Sequence, residues 1–182
     1  QPSANASADN LEDANDEDGI PVFPIMIISQ PVTIQVPVMN MTTSGANLYT
    51  FIDFNKDGDF SDPSETLPPI AVPAGTNGNV DLNFTVPGNA VMGMDLGFRI
   101  RITTTTGVAP TGLVPDGEIE DYMVQVAGYD YGDLPNTYGT TDPTGAKHAV
   151  SPTLMLGNCV DAEINGQPEP MAGMMTGGDD NT

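Results

Sequence analysis

Acidic residues outnumber basic ones so strongly that charge constrains the fold of this chain more than any other feature. Its 182 residues include 25 Asp or Glu and only 4 Lys or Arg, for a formal net charge of −21 at pH 7. A compact chain of this charge repels itself, so bound cations would relieve a large penalty on folding. The acidic residues come in short clusters with Asn and Gly rather than in one long run. We therefore predict a fold stapled by metal ions.

The clearest cluster follows a strand-like segment at 47–53. It reads DFNKDGD over 53–59, with oxygen-bearing side chains at alternating positions and Gly58 at the bend. A hard cation such as Ca²⁺ requires ligands of this kind and spacing. The predicted calcium ligands are Asp53, Asn55, Asp57, Asp59, Asp62 and Glu65. No helical pattern flanks the loop, so an EF-hand fold is not implied, and a solvated turn between strands is the alternative.

Alternation of apolar and polar residues predicts half-buried β-strands at several places along the chain. Apolar residues occupy every second position over 32–38 and 80–86, and a third alternating run covers 119–127. Further strand-like segments lie at 47–53 and 98–103. Because turns separate these runs and no helical period of comparable strength is present, we predict an all-β fold, an antiparallel β-sandwich.

Two segments carry more specific predictions about burial. Residues 20–28 are apolar at nearly every position, which predicts a strand covered on both faces. Within 98–103 the apolar residues are expected to face the core, so Arg99 and Arg101 should project outward.

Composition divides the chain into three parts. Residues 1–19 form a polar, acidic arm that cannot bury enough surface to order by itself. Residues 20–128 hold the predicted sandwich domain. Residues 129–182 contain one short apolar patch, too little to offset the chain entropy, so we predict a loop-rich appendage stapled by calcium, with packing on a neighbour as the alternative.

A second acidic cluster, DGEIED, begins at Asp116. Glu118 and Glu120 would share the core-side face of a strand, and burying two bare carboxylates is prohibitive, so we expect them to be paired or chelated. For Glu120, an ion pair with Arg99 or Arg101 and a bound metal are equal alternatives. The further candidate metal ligands are Asp16, Asp18, Asp116, Glu118, Glu120, Asp121, Asp130, Asp133, Asp161, Glu163, Asp179 and Asp180.

Two longer stretches resemble sequences of bacterial secreted and surface proteins. FIDFNKDGDF at 51–60, RIRI at 99–102 and DGEIEDY at 116–122 together resemble the GEVED domain. Residues 130–182, with DYGDLPNTYGT, GAKH, VDAE and GDD, resemble the linker module that follows this domain in such proteins. The resemblance implies an extracellular β-sandwich of modular, adhesin-like proteins with acidic metal-binding motifs.

Several classes of function are not expected. No basic patch could neutralise the phosphates of nucleic acid or of an anionic membrane surface. No segment approaches the roughly 20 apolar residues that span a bilayer, so we expect no membrane insertion. Cys159 is the single cysteine, so no internal disulfide can form. We also expect no enzyme, because the sequence holds no H-E-x-x-H, G-x-S-x-G or phosphate-loop motif.

The first hypothesis for function is a calcium-stabilised structural subunit that joins copies of itself head to tail in a fibre or surface layer. The acidic segments at 15–19 and 178–180 look like two parts of one linker, which two copies would rebuild between them. The alternative is that these segments only reflect how a longer adhesin was trimmed. Acidic loops of this kind fill with calcium outside cells, where it is about millimolar, so we expect secretion to the extracellular space or cell surface.

The second hypothesis is a binding module, one repeat of a large adhesin that contacts a glycan or a surface protein. Its stacking platforms for sugar rings would be Tyr49, Tyr129, Tyr131 and Tyr138.

Overall fold

The computed structural model describes residues 19–151, 153–160, 162, 163, 165 and 166. The chain divides into two compact units, with the boundary between Gln125 and Val126. Within the described ranges, no helix has the length and apolar character needed to cross a membrane.

The described residues form β-strands joined by turns and loops, and they contain no α-helix. A single turn of 3-10 helix covers Asn136–Tyr138. The strands are β1 Met26–Ile27, β2 Pro31–Asn40, β3 Ala46–Ile52, β4 Ile70–Val72, β5 Thr76–Thr85, β6 Asp95–Thr103, β7 Glu118–Ala127, β8 Tyr129–Tyr131 and β9 Lys147–Ala149. The predicted all-β fold is confirmed.

Two sheets build the first unit. The larger has the strand order β1-β7-β6-β3-β4, and β2 and β5 form the smaller. The β3–β4, β3–β6 and β6–β7 pairs are antiparallel, and so is the β2–β5 pair. Val36 and Val38 of the smaller sheet line the same cavity as Ile100 and Ile102 of the larger, so the sheets face each other as a sandwich.

Strand β2 shows why alternation predicted this fold. Its buried residues are Val32, Ile34, Val36 and Val38, and the residues between them are exposed. A shift of the register by one residue would turn all four toward solvent, so the burial of one face specifies the pairing with β5.

The apolar segment 20–28 differs from its prediction. Only Met26–Ile27 forms a strand, and the expectation of a strand covered on both faces is wrong, because Val22 and Ile25 are 79% and 76% exposed. Two prolines in the segment remove N–H groups that a central strand needs. The segment is held instead through Phe23, whose ring lies 5.1 Å from those of two aromatic residues in β6 and β7.

A long connection, residues 104–117, covers part of the outer face of the larger sheet. Arg101 turns toward this face, but it is only 6% exposed. Its guanidinium donates hydrogen bonds of 2.8 to 3.3 Å to three backbone carbonyls within 109–112. Arg101 thus points away from the core as expected, but it is not exposed to solvent, because the connection folds over it.

We expect Arg101→Met to lower the free energy of unfolding by about 2 kcal/mol, because it keeps the apolar stem but leaves carbonyls without their donor. Arg99→Met is the comparison, since the Arg99 side chain is partly exposed, donates to one carbonyl of the connection, that of Pro110, and pairs with Asp121; exposed ion pairs contribute about 1 kcal/mol or less. Urea denaturation measures both losses. Equal losses would show that the three carbonyl contacts are not what makes Arg101 important.

The second unit, which starts at Val126, is organised around Lys147. The β8–β9 pairing sets Tyr131 opposite Lys147. The Lys147 ammonium lies 4.8 Å and 5.3 Å from the ring centres of Tyr129 and Tyr131, and 2.7 Å from Asp142 Oδ1. Hydrogen bonds to Asp142 and Tyr131 raise the pKa of Lys147. A permanently charged side chain thus ties together a unit that is otherwise rich in loops.

Candidate metal centre

The loop after β3 is shaped from inside by Asp53. This side chain is buried, and its carboxylate accepts hydrogen bonds from the backbone N–H of Asp57 at 3.2 Å and of Gly58 at 3.0 Å. Gly58 has a φ of 93°, a conformation that residues with a Cβ rarely adopt. Asp53 and Gly58 together produce the bend that the spacing predicted.

Successive turns of the Asx type then orient the side chains of the loop. Asn55 Oδ1 accepts from the N–H of Asp57 at 3.0 Å, and Asp57 Oδ1 from that of Asp59 at 3.1 Å. Asp59 Oδ1 accepts from the N–H of Ser61 at 2.7 Å. Asp and Asn favour such bonds to the residue two positions later. Each carboxylate therefore uses one oxygen in the turn and keeps lone pairs for another ligand.

Asp57, Asp59 and Asp62 come together at the surface. One carboxylate oxygen of each lies within 4.8 Å of the other two, and all three residues are exposed. Calcium–oxygen distances of about 2.3–2.6 Å put ligands on opposite sides of one ion about 5 Å apart, so this spacing fits a single shared cation. Within the described part of the chain, no other group of three His, Cys, Asp or Glu is arranged in this way.

Asn55 stands between two of these carboxylates. Its Nδ2 donates to Asp57 Oδ2 at 3.1 Å and to Asp62 Oδ2 at 2.7 Å. The backbone hydrogen bond from Asp59, followed by the bond from Asn55, lowers the pKa of Asp57. Asp57 is therefore ionised at neutral pH, as a metal ligand must be.

Glu65 lies beneath the loop rather than in the exposed cluster. It is fully buried and accepts from the backbone N–H of Asn55 at 3.4 Å and of Asp62 at 3.2 Å. Burial is the main cause of its raised pKa, and the two hydrogen bonds oppose that shift. Asp53 and Glu65 thus hold the two ends of the loop, and direct ligation by them stays a prediction.

The second predicted cluster is divided among separate partners. Asp116 accepts hydrogen bonds from the hydroxyls of Thr103 and Thr104, which lower its pKa. Asp121 forms a two-point ion pair with Arg99, at 2.7 Å to Nε and 2.5 Å to Nη2. Of the two arginines predicted as alternative partners for Glu120, Arg99 binds the neighbouring Asp121 and Arg101 binds backbone carbonyls within 109–112.

Glu120 binds the backbone of Gly19, the first described residue. Its carboxylate accepts from the N–H of Gly19 at 3.0 Å and from the hydroxyl of Tyr122 at 2.6 Å. The same hydroxyl accepts from the N–H of Ile20 at 2.9 Å. Glu118 and Glu120 also line a cavity of about 320 Å³ between the two sheets.

In the second unit, Glu163 is joined to β8. Its carboxylate accepts from the N–H of Tyr131 at 3.0 Å, and its own N–H donates to the carbonyl of Tyr129 at 2.8 Å. Asp130 lies within β8, and Asp133 follows that strand. The other predicted ligands lie outside the described residues: Asp16, Asp18, Asp161, Asp179 and Asp180.

The four tyrosines considered as sugar-stacking platforms differ in exposure. Tyr49 and Tyr131 are buried, and the face of Tyr129 is taken up by the Lys147 ammonium. Tyr138 is 72% exposed. Two of the four rings are thus withdrawn from any ligand in solution.

The packing of Phe60 against the larger sheet was not predicted from the sequence. Its ring centre lies 6.0 Å from that of Phe51 and 5.8 Å from the guanidinium carbon of Arg99. The available signal was an aromatic residue directly after a run of acidic ones, in a loop otherwise polar. Phe60 attaches the acidic loop to the outer face of the larger sheet.

The acidic loop, β6 and most of β7 fall within one stretch that is similar to a known family. Residues 47–125 match the GEVED domain. The resemblance is confirmed for this part of the chain. The matched range includes Glu120 and Asp121, whose carboxylates bind the N–H of Gly19 and the guanidinium of Arg99. No significant match was found among curated proteins or among solved structures.

Proposed function

We propose that this chain is a calcium-stabilised, non-catalytic structural module of extracellular proteins. The observation that carries the proposal is the exposed cluster of Asp57, Asp59 and Asp62. Three carboxylates at this separation repel one another, and a divalent cation among them would offset that repulsion by binding all three.

The chemistry of the cluster supports calcium over other metals. All of its side chains offer oxygen, which selects hard cations over zinc or copper. Calcium takes six to eight oxygen ligands in flexible geometry, so an exposed loop can supply part of the shell and water the rest. Magnesium demands a nearly ideal octahedron. Extracellular modules bind calcium with dissociation constants of about 10⁻⁴–10⁻³ M, which supports a place outside the cell.

A cation in this loop would stabilise the sandwich through two attachments. Asp53 is tied to the larger sheet by its backbone N–H, which donates to the carbonyl of Gly97 at 2.9 Å. Phe60 packs against Phe51 of the same sheet. Ordering the loop would fix both contacts, and each bound ion would offset two charges of a chain with net charge −21.

We propose further that copies of this module join head to tail in a fibre or surface layer. The support is the resemblance of 130–182 to an interdomain linker module, together with the acidic segments 15–19 and 178–180. Calcium shared between two such segments would neutralise the junction. A repeat that binds a glycan or surface protein is the alternative, and the burial of two candidate tyrosines does not favour it.

Calorimetric titration with calcium, followed by negative-stain microscopy with calcium and then with EDTA, tests both proposals. We expect heat of binding, assemblies in calcium and their loss in EDTA. A double variant, Asp57→Asn with Asp62→Asn, should lose the heat, whereas Asp95→Asn, an exposed acid of β6 outside the loop, should keep it. Binding without assembly would favour the adhesin repeat, and no heat at all would remove the metal role.

A further inference from the structure

The described residues of the first unit leave four sheet edges, and three of them are protected against pairing with a further strand. Strands β1 and β4 end the larger sheet with two and three residues. Strand β2 carries Pro31 and Pro37, which have no N–H to offer. Strand β5 is ten residues long without proline, and within the described residues it pairs with β2 alone. Natural sheets usually protect such edges, so the free side of β5 stands out.

The pairing with β2 shows which backbone groups of β5 point away from it. The N–H of Val86 donates to the carbonyl of Gln30 at 3.0 Å, and its carbonyl accepts from the N–H of Ser29 at 3.1 Å. The backbone N–H and C=O groups of successive residues point to opposite sides of a strand. Because those of Val86 point toward β2, those of the residue before it and of every second residue from there point away from β2. The pairing of Pro37 with Asn79 supports this assignment. Proline has no N–H, so it fits only where the backbone N–H would point away from the paired strand. The outward residues are Asn77, Asn79, Asp81, Asn83 and Thr85.

These outward positions form a nearly neutral strip on a strongly acidic protein. They hold one carboxylate, that of Asp81, on a chain whose net charge is −21. All five side chains are exposed. Another molecule of the same charge would meet little repulsion along this strip. The chemistry of the edge, which alternates free N–H and C=O groups, matches an extended strand.

We propose that β5 pairs antiparallel with β5 of a second copy, about a two-fold axis at Val80, so that two small sheets become one of four strands. In this register Asp81 lies opposite Asn79 of the partner subunit instead of another carboxylate. Gly78 lies opposite Leu82 of the partner subunit, and the two Val80 side chains meet on the inner face. Val80 is only half-buried in one copy, so the added strand covers apolar surface.

Sedimentation velocity of the full chain, from micromolar to submillimolar concentration in 0.15 M salt and EDTA, tests this pairing apart from calcium-dependent assembly. We expect a concentration-dependent dimer. Asn79→Pro should weaken association about 30-fold, because each dimer loses two N–H···O bonds. The N–H of Asn79 points away from β2, so the fold is retained, which circular dichroism checks. Asn79→Thr keeps the N–H and should dimerise normally.

A cross-link tests the register. In a Cys159→Ser background, Val80→Cys should form a disulfide with its own copy, because directly opposed residues of a non-hydrogen-bonded pair have Cα atoms about 4.5 Å apart. Thr33→Cys, on the exposed face of β2, should not. A chain that stays monomeric, equal dimerisation by the two Asn79 variants, or a dimer without the Val80 cross-link would each overturn the proposal.

Discussion

Asp57→Ala should abolish the rise in melting temperature that calcium produces, while the melting temperature in EDTA stays nearly unchanged. Asp57 is exposed, and its hydrogen bonds stay within the loop, so its loss costs the metal-free fold little. With calcium at 100 times its dissociation constant, a single site adds about 2.7 kcal/mol to the free energy of unfolding. Thermal melts in calcium and in EDTA, followed by circular dichroism, measure the difference.

The matched control is Asp95→Ala, which removes an equally exposed carboxylate from β6. It changes the net charge by the same amount but leaves the loop intact, so the full calcium effect should remain. An equal loss of stability in calcium and in EDTA for Asp57→Ala would take Asp57 out of the metal site.

Gly117→Ala is expected to lower the free energy of unfolding by more than about 3 kcal/mol, since overpacking adds to backbone strain. Gly117 has a φ of 97°, and a Cβ there would lie only 1.7 Å from the carbonyl oxygen of Ile102. That oxygen belongs to the backbone of β6, so the strand itself would have to move. Urea denaturation measures the loss.

Gly112→Ala separates the two causes. Gly112 lies in the same connection with a φ of 92°, but nothing lies within 4 Å of a Cβ at this position. Only the cost of the left-handed conformation applies, about 1–2 kcal/mol. If both alanine variants lose the same stability, close approach to β6 is not the reason for glycine at 117.

Sequence patterns predicted those strands whose two faces differ in environment. In β2 the alternation is strict because one face packs in the core and the other meets water. The segment 20–28 has no such alternation, and its apolar content alone does not say which residues are covered. Its anchor, Phe23, packs against rings of β6 and β7. Partners so distant in sequence become visible only when the strands are assembled.

The candidate site shows the same division between local and distant contacts. The Asp53–Glu65 loop could be predicted as one unit because its hydrogen bonds join residues that are few positions apart. The partners of Asp116 and Asp121 depend on how β6 and β7 lie side by side. The closeness of these two acids to Glu120 in sequence led us to group all three in one cluster. In the structure, the register of the strands gives each of them a separate partner. The calcium role of the loop and the assembly of the chain stay predictions.

The hydrogen bonds of Arg101 to the connection place few limits on the sequence of that connection. Within the described residues, the hydrogen bonds of the Arg101 guanidinium go to main-chain carbonyls within 109–112, and every amino acid carries that group. The side chains of Ala109 and Thr111 can therefore be exchanged while the attachment persists. Leu113, just beyond, is 99% exposed. A foreign peptide inserted at this point would be displayed from a fixed base, which suits the module as a carrier for epitopes.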